Sequence, residues 1–264
     1  VPGVSLNLDN ATLNQIALVS LGFSPGSVGQ VEARVKAVIN PKIAPVYSNV
    51  VTISLKPYLV IINYPSLWIP GAYQGWAPPV APKISSVTDN GIYEGYANIT
   101  GSDLNFKFTS NPDWEHTNYG WASSAVTGTT VTGTLSTDGG AGNLFVPTAG
   151  YYLLKANTTT LSWDAIKTDW GLIGDGIPLT GWDSDHDLTF NDAAKTWSIT
   201  LDLIGGKSIK FRANDAWDLN LGDDGANSSL EYNGANIAVP ADGNYTVTLD
   251  LSTPGNYNYK LVKN

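Results

Sequence analysis

Six side chains in this sequence could grip a ring-shaped, hydroxyl-rich ligand: Trp76, Lys107 and Trp114, then Trp182, Lys210 and Trp217. They form two sets with one order. The Trp-to-Lys interval is 31 residues in the first (107 − 76) and 28 in the second (210 − 182), and Lys precedes Trp by 7 in both. The local stretches are near echoes, FKFTSNPDW at 106–114 and IKFRANDAW at 209–217. Side chains alternate along a strand. If Phe106 and Phe108 face a core, Lys107 faces outward, and Ile209, Lys210 and Phe211 repeat the pattern. An outward lysine beside a loop ending in tryptophan suits a sugar. A pyranose has an apolar C–H face that stacks on an indole, and edge hydroxyls that pair with ammonium, guanidinium or amide groups. Arg212, Asn214 and Asp215 are close enough in sequence to add edge hydrogen bonds. The ordinary alternative is a core tryptophan beside a solvated strand lysine. Trp197, within the apolar run TWSITL, is read that way. Joint recurrence of all three residues of the set favours the ligand reading for the other six.

The elements that must position these residues also come in duplicate. LWIPGAYQGW (67–76) matches WGLIGDGIPLTGW (170–182) at its apolar start and its Gly-Trp end. NGIYEGYANITGSDLNFKFTSNPDW (90–114) matches AAKTWSITLDLIGGKSIKFRANDAW (193–217), and NLFVPTAGYYLLKANTTTLSW (143–163) matches NIAVPADGNYTVTLDLSTPGNYNYKL (236–261). The offsets fall from 106 (182 − 76) to 103 (217 − 114) to 93 (239 − 146), so loops differ while order is kept. That is tandem duplication of a domain. Tyr245, Val247, Leu249 and Leu251 alternate with Thr246, Thr248 and Asp250, and such short, turn-bounded runs indicate antiparallel β-sandwiches. The sequence therefore predicts an all-β chain of tandem immunoglobulin-like sandwiches, strung like beads. Its pieces are a partial spacer at 1–57, a first binding module at 58–160 and a second at 161–264. In the spacer, Thr12 and Gln15 have capping-box spacing, Leu13, Ile16, Ala17 and Leu21 share a helix face, and Gly22 fits the position after the helix. Val31, Ala33, Val35 and Ala37, and then Val51, Ile53 and Leu55, alternate as on half-buried strands.

Composition narrows the partners. Of 264 residues 42% are hydrophobic and only 14% charged, with a net charge of −9. An acidic surface repels nucleic acid and anionic lipid, so a neutral ligand is expected. Without cysteine there is no disulfide, thiolate metal site or thiol nucleophile. Without methionine, Val1 is expected to follow a removed or omitted segment. No apolar run is long enough to span a bilayer as a helix.

Two catalytic or metal chemistries compete with plain binding. Asp183, Asp185 and Asp187 have the first, third and fifth spacing of a calcium loop. However, Leu188 stands where glycine is required and Ala194 where the closing glutamate should be, so no metal is expected there. His116 and His186 have no ligand spacing to each other. A glycoside hydrolase needs two carboxylates about 5 to 9.5 Å apart. Asp215, Glu231 and Asp223 are available, but no such pair recurs in both units, and Asp113 matches Asp215 only loosely. The expectation is a non-enzyme without cofactors.

The run PVYSNVVTISLKPY (45–58), followed by LWIPGAYQGW, GIYEGYANI, FKFTSNPDWEHTNYG, IKFRANDAWDLNLG and VPADGNYTVTLDLSTPGNYNYKL, resembles the SusE/SusF family over essentially the whole chain. These are surface lipoproteins of starch-utilisation systems of the Bacteroides type. The resemblance implies an immunoglobulin-like spacer followed by carbohydrate-binding β-sandwiches. It also implies attachment to the outer membrane by an N-terminal lipid, on the extracellular face, beside other outer-membrane glycan-uptake proteins. It implies binding of polysaccharide without cleavage, at an aromatic pair with a nearby Lys or Arg. Those positions fall on Trp76, Lys107 and Trp114, and on Trp182, Lys210 and Trp217, with Arg212 replaced by Thr109 in the first module. Starch or a malto-oligosaccharide is the leading ligand. A different glycan such as xyloglucan or mannan, or an adhesive array with no sugar site, is the alternative.

Overall fold

The computed structural model describes residues 7–21, 23, 25–38, 40 and 42–264. They form two compact units, one running up to Val60 with Gly225–Ser229 and the other comprising Ile61–Asp224 and Leu230–Asn264. The protein is all-β apart from short helical turns.

The first unit holds helix α1 (Asn10–Gln15), continued by a wider turn at Ile16–Ser20. Its cap is Asp9 rather than Thr12: the Asp9 carboxylate accepts the Thr12 N–H at 2.7 Å, satisfying a donor that has no partner within the helix. Gly22 lies outside the described residues. Strands β1 (Gly29–Ala33) and β4 (Val51–Leu55) pair antiparallel, as do β2 (Lys36–Ala37) and β3 (Val46–Tyr47). The 51–55 alternation forms β4 as expected, but the 31–37 alternation forms two short strands, β1 and β2, with Arg34 and Val35 between them. Half-burial does not follow, because Val35, Val51 and Ile53 are exposed.

In the second unit, strands β5 (Ser66–Trp68), β6 (Lys83–Ser85), β7 (Ile92–Ile99), β8 (Asn105–Phe106), β9 (Phe108–Thr109) and β10 (Asn118–Thr127) come first. They are followed by β11 (Thr130–Ser136), β12 (Leu144–Phe145), β13 (Gly150–Asn157) and β14 (Ser162–Lys167). Eight of these ten close on themselves in the order β10-β11-β14-β13-β7-β6-β5-β9, and β8 pairs β12. Phe106, Phe108, Leu144, Tyr152, Leu154 and Trp163 fill the interior.

The second module begins with β15 (Trp170–Ile173), β16 (His186–Asp187), β17 (Thr189–Asn191), β18 (Thr196–Leu203) and β19 (Ser208–Ala213). It ends with β20 (Asn220–Gly222), β21 (Glu231–Tyr232), β22 (Ile237–Ala238), β23 (Gly243–Asp250) and β24 (Asn258–Lys263). One sheet runs β16-β15-β19-β20-β21, with β22 also on β19, and the other β17-β18-β23-β24. The duplication extends to local devices. The Tyr152 hydroxyl donates to Thr148 O at 2.8 Å and Tyr245 to Ala241 O at 2.9 Å, each four residues back at a strand entry. This is the tyrosine corner of immunoglobulin-type sandwiches.

The modules are not beads. On β7, Ala97 and Ile99 face the first core, while Tyr96 belongs to the second. On β13, Tyr152 and Leu154 face the first, while Tyr151 and Leu153 belong to the second. Tyr151 meets Trp197 edge-on at 5.4 Å and Tyr96 meets Trp170 at 6.1 Å. Trp197 is a core residue, as expected.

Candidate functional site

Each module builds a tilted pair of indoles. The ring centroids of Trp76 and Trp114 are 6.3 Å apart with planes inclined by 42°, and those of Trp182 and Trp217 are 6.2 Å apart at 38°. Trp114 and Trp217 are 40% and 46% exposed, too open for core residues, and their partners are half-buried. The loops explain the placement. Trp76 follows a tight turn at Ala72–Gln74 and takes a left-handed φ of 59°, its N–H donating to Gly71 O at 2.9 Å. That conformation costs a non-glycine residue about 1–2 kcal/mol, so the turn holds the indole against local preference. Trp114 rides a loop closed by Ser110 N–H to Thr117 O at 2.9 Å. Inside that loop Asp113 accepts the Glu115 N–H and hydrogen-bonds His116 Nδ1 at 2.7 Å, and the His116 bond holds the Asp113 carboxyl below its usual range. Before Trp217, Asn214 and Asp215 supply positive φ values of 58° and 55°, which their short polar side chains tolerate.

The lysines are held, not loose. Lys107 Nζ donates to Ala141 O at 2.9 Å, and Lys210 Nζ to Asn220 Oδ1 at 2.6 Å. Asn220 Nδ2 in turn donates to Trp217 O at 2.8 Å, so one amide joins the lysine to the tryptophan loop. Asn118 Nδ2 likewise donates to Trp114 O at 3.0 Å, but its buried Oδ1 has no partner, so in the first module the amide does not reach the lysine. These asparagines were missed in the sequence. The available signal was an Asn three or four residues after the tryptophan in both copies. Lys107, Trp114, His116, Asn118 and Asp138 line an open depression of about 910 Å³.

Arg212 does not reach outward as a free edge donor. It is 7% exposed, its Nη2 donates to Asp185 Oδ1 at 2.7 Å, and its guanidinium lies 5.3 Å from the Trp217 ring centroid. It therefore backs the indole. Asp185, weighed with Asp183 and Asp187 as a weak calcium candidate, is spent on this pair. Asp183 and Asp187 are exposed, and among the described residues no three His, Asp or Glu side chains gather as a metal site requires. Gly171 makes the room, since a Cβ there would sit 2.3 Å from Asp185 Oδ2. The Arg212 hydrogen bond holds Asp185 below the usual carboxylate range, while the charge of Asp185 pushes exposed Asp215 up. Asn214 is likewise structural: its amide binds Lys167 O and Asp169 N–H. Asp223 accepts the Tyr259 hydroxyl and Glu231 accepts the Asp224 N–H.

Comparison with known proteins adds modest context. A family model, DUF5111, a domain of unknown function, matches residues 78–168. No curated protein matches. Among solved structures, SusF from Bacteroides thetaiotaomicron is similar over 96% of this chain and 62% of its own, at 16% identity and a TM-score of 0.32. The chain thus spans less than two thirds of that protein.

Proposed function

We propose that this protein is a non-catalytic carbohydrate-binding protein whose two modules each hold a glycan on a tilted tryptophan pair, with Lys107 and Lys210 as edge donors. The observation that carries it is the same indole pair built twice, at 6.3 and 6.2 Å, with Lys107 lining the same depression as Trp114 and Lys210 tied through Asn220 to the Trp217 loop. Rings inclined by about 40° cannot both lie flat on an extended, ribbon-like chain. They suit a chain that turns from one residue to the next, as α-1,4-glucan does, which supports starch or malto-oligosaccharide over cellulose-like ligands. Binding without hydrolysis is the reading because no carboxylate pair recurs beside the tryptophans of both modules, and in the second Asp185 is buried and spent on Arg212. Attachment to the outer cell surface by a lipid, next to other glycan-uptake proteins, belongs to this reading through the family resemblance.

Native affinity gels containing starch, xyloglucan or mannan test it. Starch should retard the protein, and Trp114→Ala and Trp217→Ala should each weaken retention about tenfold, near the upper range for loss of one aromatic contact. Unchanged migration of both variants would refute the assignment, as would new reducing ends released from any of the polysaccharides.

A further inference from the structure

Beside the Trp114 depression lies a second aromatic pocket of about 530 Å³, walled by Trp68, Lys83, Tyr93 and Tyr119. Its volume falls within the roughly 300–1,000 Å³ of small-molecule sites. Register places its indole wall: Trp68 sits opposite Thr109 on β9, the strand that leads into the Ser110–Thr117 loop carrying Trp114. Tyr119, opposite Phe108, packs against the first core and closes the pocket from that side. Trp68 is also opposite Lys83, whose Nζ stands 5.0 Å from the indole centroid. Ser110 lines this pocket and the Trp114 depression alike, so the two adjoin.

The far wall is built rather than incidental. Asn256 Oδ1 accepts the Ile62 N–H at 2.8 Å and Asn256 Nδ2 donates to Ile62 O at 3.0 Å, fastening the segment that closes the pocket. Burial, and then the neighbouring Tyr93, push the Tyr119 phenol up, so its hydroxyl stays protonated and can donate. In the second module the equivalent register pair is Gly171 and Arg212, and the space over that glycine is taken by the Asp185 carboxylate. The indole and ammonium of module 1 are thus replaced in module 2 by a closed ion pair.

From these observations we infer that module 1 carries an additional sugar subsite at Trp68, Lys83, Tyr93 and Tyr119, which takes the continuation of an oligosaccharide chain leaving the Trp76–Trp114 pair. This rests on the glycan-binding reading above. Trp68 and the tyrosines supply ring walls for C–H faces, while Lys83, Ser66 and Ser110 supply edge partners. Module 1 therefore discriminates by chain length where module 2 does not.

The test is calorimetric titration of the full chain carrying Trp217→Ala, which leaves module 1 to report, with three- and seven-residue members of the malto- and manno-oligosaccharide series. Trp68→Ala in that background should lower affinity for the heptamer about tenfold and leave the trimer unchanged, and Lys83→Ala should act the same way more weakly. Lys83 is an exposed side chain, so its variant tests the subsite even if Trp68→Ala melts early. If neither variant alters the heptamer-to-trimer ratio while Trp114→Ala weakens both lengths, the subsite is wrong and the tryptophan-pair reading stands. If the parent binds no oligosaccharide of either series, both fall.

Discussion

Thr109 and Arg212 occupy equivalent positions, each two residues after the site lysine, and the difference spreads outward. Arg212 needs a counter-charge because it is buried, Asp185 supplies it, and Gly171 yields the space. Removing one member of a buried pair leaves the other charged and unsolvated. Asp185→Ala should therefore cost about 3 kcal/mol, a melting shift of several degrees, whereas Asp185→Asn, which keeps an acceptor for Nη2, should cost less. The pH dependence has a definite sign. Asp185 titrates below its ordinary 3.8 in the folded protein, so the pair contributes fully at neutral pH and is lost only as acid takes the carboxylate through that lowered value. Thermal melts of both variants at pH 7 and at pH 3 would check this, and a wild-type advantage over Asp185→Ala that persists undiminished in strong acid would contradict it. None of it was legible in WDSDHD. Calcium-like spacing is a local pattern, and the partner that overrides it stands on β19, 27 residues further along.

At the scale of elements, β7 and β13 carry apolar side chains on both faces. GYYLLKA announces this in part, since a strand covered on both sides reads as a near-continuous apolar run. Glu94, between the cores, shows the consequence. Burial holds its carboxyl above the ordinary 4.5, against hydrogen bonds from Tyr232 and Tyr257 and the attraction of Lys155. A raised carboxylate favours the fold while protonated, and that contribution drains away as pH climbs past 4.5 through the higher folded value. Glu94→Gln, neutral at every pH and still an acceptor for the Tyr257 hydroxyl, should match wild type near pH 4 and melt higher at pH 8. A wild-type protein that is the more stable of the two at pH 8 would show that Glu94 is stabilised as an anion instead.

For the whole second unit, the shared core makes the two tryptophan pairs parts of one body. Tyr151 stacks on Tyr96 at 5.6 Å and abuts Phe190 at 4.7 Å as well as Trp197. Tyr151→Ala should cost about 3 kcal/mol and lower both modules' stability together. Scanning calorimetry should show residues 61–264 melting in one cooperative transition that moves as a whole in the variant. Separate transitions, with only one displaced, would mean that the modules fold independently. A fixed arrangement also bears on avidity. Two sites on a rigid body gain from each other only if a polymer can reach both in that geometry, whereas a flexible linker would search for it.

The sequence by itself determined the all-β class, the duplication, and the paired Trp–Lys–Trp sets, because alternation, turn residues and repeat offsets are properties of nearby positions. Tertiary structure alone decided that Asp185 serves Arg212, that Asn118 and Asn220 tie the tryptophan loops, and that Tyr96 and Tyr151 weld the modules. Those outcomes depend on which strands become neighbours, and register brings together side chains whose separation along the chain carries no local signal.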